Sequence, residues 1–247
     1  MGADGGLLLK AFFAVIIFLI GAGGAYSART MQASGRIELL TIGNCIAGGI
    51  FIGAGLIHTL ADSASLYEQL MPGLDFPIWA ATAGLSIVFL LWIDHRLGHA
   101  SRGDQSSSFA LLIILSLHSL IAGIALGLEA HTTQALAILI AILAHKGSAA
   151  FALGLQTGDK NYWRQMIGFA LMTPIGVLFG ATLVDSLTGD SGLYFEAVFD
   201  SVAAGTFLYV ALCEILPSEL KQAKNSTTLT ASAVAGLLLM ALLAIYT

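Results

Sequence analysis

Eight apolar stretches, each roughly 18–25 residues long and joined by short polar connections, dominate this sequence and leave it few ways to fold. They fall near residues 7–27, 37–61, 76–94, 109–130, 132–156, 163–187, 194–216 and 227–246. Runs of that length match the hydrocarbon thickness of a bilayer, where every backbone N–H and C=O must be satisfied within the segment itself. Helices meet that requirement. A barrel would instead show short segments of alternating hydrophobicity. Charged residues make up only 10% of the chain against 57% hydrophobic ones, and mean hydropathy is +0.88. The sequence therefore predicts an all-α integral membrane protein with one domain over residues 1–247, because no connection could house a soluble unit. Cys45 and Cys213 sit inside apolar runs and read as small buried residues.

The basic residues set an orientation. Arg29 and Arg36, Arg96 and Arg102, Lys160 and Arg164, and Lys221 and Lys224 occupy alternate connections. The intervening ones carry Asp62, Glu68, Asp75, His131 and Asp190, with no Lys or Arg. The positive-inside rule makes the basic side cytoplasmic, so both termini are expected outside or in the periplasm of a plasma (inner) membrane. Lys10, at the start of span one, is free to snorkel. Asp62, Glu68, Asp75, Asp185 and Asp190 give the outer face an acidic field that concentrates cations without identifying a site.

Two internal similarities stand out. His118-Ser-Leu-Ile-Ala-Gly-Ile-Ala-Leu-Gly-Leu128 in span four lies over His145-Lys-Gly-Ser-Ala-Ala-Phe-Ala-Leu-Gly-Leu155 in span five, matching the histidines, Ala122/Ala149, Ala125/Ala152 and Gly127/Gly154. The stretch from Ala47 to His58 in span two lies over Ala203 to Glu214 in span seven, matching Gly49/Gly205, Phe51/Phe207 and Leu56/Leu212 and setting His58 opposite Glu214. A 3+2+3 arrangement of spans pairs two with seven and four with five, although two and seven are expected to run parallel, so their match need not reflect an inverted relation. Repeats with a midplane site at their interface are the usual build of secondary transporters. An ionisable side chain at mid-membrane costs on the order of 2.5 kcal/mol or more, so two imidazoles there mark a substrate or ion path. Neutral imidazole binds transition metals without adding buried charge, and the neighbouring alanines and glycines let the helices approach.

These motifs resemble those of ZIP-type (Zrt/Irt-like) metal transporters. HSLIAGIALGLE is similar to that family's fourth-span motif. AHKGSAAFALGLQ resembles the fifth span of the branch that has His-Lys. GGIFIGAGLIHTLADS looks like the second span, AAGTFLYVALCEILPSEL like the seventh, and Met172-Thr-Pro174-Ile-Gly176 like the Pro-kinked sixth. The resemblance implies that His118 and His145 ligate metal at mid-membrane, with His58, Ser119 and Glu214 contributing. Lys146 would stand as a fixed cation where other branches place the Glu of a second metal position.

One departure is serious. By the same resemblance, the family usually has Glu or Asp four residues after the fourth-span histidine, and here that residue is Ala122. Glu214, Glu129 and Asp200 are the candidates to compensate, Glu129 fitting an entrance better than the site. The expected function is a secondary importer of a divalent transition metal, zinc ahead of Fe²⁺, Mn²⁺ or Cd²⁺, working by alternating access. The alternative is a metal sensor or a carrier of a different cation. No prosthetic group and no nucleic acid are expected; metal ion and lipid are the partners, and the resemblance leaves room for a homodimer. Neither GxxxxGK[ST] nor HExxH occurs, so neither nucleotide hydrolysis nor zinc-hydrolase chemistry is indicated.

Overall fold

The computed structural model describes residues 3–100, 105–129, 131–158, 160–183, 190–221 and 226–245. Arg102, Asp185 and Lys224 lie outside them. Among the described residues eight helices are long and apolar enough to cross a membrane: Gly6–Ala33, Ile37–Leu70, Ile78–Arg96, Leu111–Leu128, Thr132–Gln156, Tyr162–Thr182, Ser191–Lys221 and Ser226–Leu243. They are called spans one to eight. Six fall within a few residues of the apolar runs. Spans two and seven are longer than predicted, at 34 and 31 residues, because each continues as a more polar helix (Ser63, Ser65 and Glu68; Ser218, Glu219 and Lys221) beyond the apolar stretch. At 1.5 Å per residue each reaches roughly 50 Å, well past a hydrocarbon core of about 30 Å.

Both long spans are interrupted by a single wide turn. Span two is α-helical over Ile37–Gly53, π-helical over Ala54–Thr59 and α-helical again over Leu60–Leu70. Span seven repeats the plan, with Asp190–Tyr209, a π-helical Val210–Ile215 and Leu216–Lys221. The two π turns sit at the same offset as the matched residues Phe51/Phe207 and His58/Glu214, so the internal similarity extends to the backbone. In span two the hydroxyl of Thr59 donates to the carbonyls of Ala54 and Gly55, at 3.1 and 3.3 Å. In span seven Pro217 has no N–H to offer the Cys213 carbonyl one turn back. Such bulges recur at functional sites. Cys45 is buried as expected, but Cys213 is exposed, contrary to the expectation, because its side of the helix is not covered by another span.

Spans two and seven cross in opposite directions, not parallel as expected, because their contacts run in reverse register. Gly48 packs on Ile215 and Leu216, Gly55 on Ala204 and Leu208, and Ser63 bonds the Ala197 carbonyl at 2.7 Å and the Ser201 hydroxyl at 2.6 Å. Similar sequences running antiparallel are what an inverted repeat requires.

Close backbone approach sorts the helices into two bundles. In the first, span four packs along span six, and span one along spans five and six. A Cβ added at Gly123 or Gly127 would strike the carbonyl of Thr173 or Val177, and one at Gly176 or Gly180 that of Leu120 or Ile124. Only glycine permits this contact. In the second, span two packs along span eight through Gly49, Gly53 and Gly236, and span three along span seven through Gly205. Under the inverted repeat, one–five corresponds to six–four and two–eight to seven–three, so the pairing obeys the symmetry expected of a 3+2+3 plan.

The ends of spans one, five and six meet. Tyr162 donates to the Ala25 carbonyl at 2.7 Å, Gln32 to the Leu155 carbonyl at 3.1 Å, and Arg29 stands over the Tyr162 ring at 5.2 Å. Two of the basic connections therefore share one end of the molecule. At the opposite end Lys10 donates to the Gly127 carbonyl at 2.5 Å, so it docks on the negative end of span four's helix rather than reaching only for headgroups.

Candidate metal site between spans four and five

Spans four and five run antiparallel, and the repeat places one histidine on each at matching depth. His118 and His145 are both buried, with ring centroids 5.6 Å apart. An ion held by both at nitrogen distances of about 2.0–2.1 Å would stand about 3.2 Å from each centroid, allowing centroids up to about 6.4 Å apart. The observed spacing lies within that reach. Among the described residues neither nitrogen of His118 has a hydrogen-bond partner, while His145 reaches only the Ala141 carbonyl of its own helix. Buried polar atoms are normally paired, so the orphaned ring nitrogens of His118 fit a ligand better than a structural role.

The residues that follow each histidine pair with one another. Lys146 donates from Nζ to the Ser119 hydroxyl at 3.0 Å and to the Phe169 carbonyl at 3.1 Å. Its ammonium also sits 3.9 Å from the Phe169 ring centroid, a cation–π contact. Only 2% of the residue is exposed, so this is a lodged cation and not a snorkelling one. Phe169 belongs to span six, next to Ala170, whose carbonyl Pro174 leaves without an N–H partner. The charge thus sits at a locally polar stretch of helix. Gly21 of span one leaves room for the lysine stem: an added Cβ would lie 3.3 Å from its Cε.

Ala122 leans on an apolar cluster of Phe13, Ala14, Ile17, Leu126, Leu139 and Ile142, so no acid stands one turn beyond His118. The candidates to replace it lie elsewhere. Glu214 accepts from the Tyr209 hydroxyl at 2.8 Å and lines a small cavity with Leu90, Ile93, Asp94, Leu111 and Ile114. It is seven residues past Phe207, about 10 Å along the helix. Glu129 accepts the His131 N–H at 2.6 Å and closes the turn between spans four and five. Asp200 lies in the N-terminal half of span seven, near enough to Glu196 and Asp62 to feel their charge. His58 pairs with Asp62, Nδ1 to Oδ2 at 2.9 Å, on the π turn of span two. The structure brings together His118 with His145 and Ser119 with Lys146; His58, Glu214 and Glu129 each have their own partners. Among the described residues no three His, Cys, Asp or Glu side chains converge as a metal site would need.

Sequence reasoning missed one participant. Phe207 of span seven lies 4.2 Å from the His118 ring centroid and 5.0 Å from that of His145, edge to face with both. Its other side stacks on Phe51 at 5.3 Å. The signal was present in the Phe51/Phe207 match, but a phenylalanine in an apolar run reads as packing.

A family model described as ZIP zinc transporter matches residues 98–244, more than half of the chain. Zinc transporter ZIP2 of Mus musculus is 27% identical over a gapped alignment covering 85% of this chain and 86% of that protein. Zinc transporter ZIP2 of Homo sapiens is 26% identical over 98% of both chains, and zinc transporter ZIP1 of Danio rerio is 29% identical over 76% and 78%.

Proposed function

The chain belongs to the ZIP zinc transporter family, and on that premise we propose that it imports a divalent transition metal, zinc first, across the plasma (inner) membrane through the His118–His145 pair. The observation that carries this reading is the pair itself: two buried imidazoles on repeat-related helices, within reach of one ion, with the ring nitrogens of His118 left unpartnered among the described residues. Neutral imidazoles suit a carrier. They desolvate the ion without the deep trap that several carboxylates would make, so release stays accessible.

Polar groups lie on either side of that waist. The outer half carries His58, Asp62, Glu196 and Asp200, a negative field that gathers cations from outside. The inner half carries Glu214 and Asp94, a step on the way to the cytoplasm. In this reading Glu214, Glu129 and His58 serve the path before and after the imidazoles. Lys146 and Ser119 hold the fixed charge beside them.

Alternating access follows from the two bundles. The imidazoles ride on spans four and five, in the bundle completed by one and six. Spans two, three, seven and eight form the other. Their shared surface is thin compared with the glycine-mediated seams inside each bundle, so sliding one along the other exposes the waist to one side and then the other.

Ion uptake into vesicles reconstituted with the purified protein tests this, using zinc, cadmium, manganese, iron(II) and copper(I) in parallel. Saturable zinc uptake without nucleotide is expected. Uptake of copper(I) with none of the divalent ions would favour the alternative of a different cation, for which the absence of an acid at Ala122 is the motive.

A further inference from the structure

We propose that Phe207 is the seal of the ion path: a ring supplied by one bundle that covers both imidazoles of the other and must be displaced before either can meet water. This rests on the reading that the path runs through His118 and His145. Three rings form a closed triangle, with centroids 4.2, 5.0 and 5.6 Å apart. Phe207 has 0% exposure and is backed by the stacked ring of Phe51, also fully buried. The two phenylalanines come from spans two and seven, whereas the histidines come from four and five. A relative movement of the bundles therefore necessarily breaks the ring contacts.

The backbone beside the seal suits such a movement. The wide turn of span seven begins at Val210, three residues past Phe207 towards the cytoplasm. That of span two begins at Ala54, three residues past Phe51 towards the outside. Each side of the ring pair thus has a turn with an extra residue, where helix register can shift at low cost. His58 and Glu214 stand on those turns, each seven residues past its phenylalanine, so the stacked ring pair lies between the two ionisable groups. The face of Phe207 also attracts a dehydrated cation held by the imidazoles, whereas a hydrated ion finds no room.

A reporter thiol tests the proposal in the full chain. Cys45→Ala and Cys213→Ala remove the native thiols, and Ala149→Cys places one a turn from His145, in the apolar cluster that holds Phe51 and Phe207. A membrane-impermeant, charged thiol reagent is applied to reconstituted vesicles from each side. With Phe207 intact, labelling should be slow from both sides. Phe207→Ala should raise the rate at least tenfold, Phe207→Leu less, and Phe51→Ala less than Phe207→Ala. Phe13→Ala, which opens a similar void in the separate apolar cluster, should leave the rate low. Unchanged labelling in Phe207→Ala, an equal rise in Phe13→Ala, or a larger rise in Phe51→Ala would each overturn the assignment. Zinc uptake by His118→Ala in the same vesicles separates the two ideas: normal uptake there refutes the path itself, while loss of uptake with unchanged reporter labelling refutes only the seal.

Discussion

Lys146 donates its ammonium to Ser119 at 3.0 Å, and these are the residues immediately after the two histidines. The repeat therefore delivers two pairs at once: imidazole beside imidazole, and a cation beside a hydroxyl. In the proposed reading Lys146 is a positive charge beside the ion and lowers affinity for a divalent metal, with the Ser119, Phe169 carbonyl and Phe169 ring contacts holding it in place. Replacing Lys146 with Met keeps most of the volume and removes the charge. Affinity for Zn²⁺ or Cd²⁺ is expected to rise about tenfold or more, equivalent to about 1.4 kcal/mol. Calorimetry on the purified variant measures it. Unchanged affinity would mean that the ammonium is too well screened to matter.

The seam between spans four and six admits no side chain. Gly123→Ala and Gly176→Ala each drive a methyl into a facing carbonyl. Overpacking of this kind typically costs about 1–3 kcal/mol. Both variants should melt several degrees lower in detergent, whereas Gly84→Ala, whose Cβ meets nothing within 4 Å, should not. Thermal unfolding followed by fluorescence or light scattering decides it. Equal melting of all three would show that the helices sit further apart than described.

Ala122 is the position where the resemblance to ZIP-type transporters leads one to expect an acid. Ala122→Glu places a carboxylate one turn from His118, at the margin of the Phe13–Leu139–Ile142 cluster. Binding of Zn²⁺ or Cd²⁺ should tighten by about 5–150-fold, or about 1–3 kcal/mol. Turnover is expected to fall because release slows. Competition with a chelating dye reads the affinity. Unchanged affinity together with a new Lys146–Glu contact would show that the added acid neutralises the lysine instead.

Much of this architecture is legible in the sequence, for a physical reason. Lipid demands long apolar helices, so the spans are visible as hydropathy, and the paired motifs are visible because both halves of an inverted repeat solve the same packing problem. His118 and His145 are conspicuous because an ionisable group in that setting is costly. The polar continuations of spans two and seven escaped, since Ser63, Glu68 and Glu219 belong to helices that leave the apolar layer. The π turns escaped as well: Pro217 hints at one, and nothing comparable marks the other. Lys146 stands out as a cation, yet its acceptor at Phe169 is a main-chain carbonyl, which carries no signature in sequence. Phe207 was hidden for a simpler reason. Its chemistry depends on two rings from other helices, and only the folded chain brings them to it.

His118→Ala and His145→Ala, each reconstituted beside wild type and checked for retained helicity and thermal unfolding, put the imidazole pair to the most direct test. Zinc uptake should fall by at least tenfold in either variant, with the protein folded and inserted. Wild-type uptake rates in both variants would contradict a path through the two histidines.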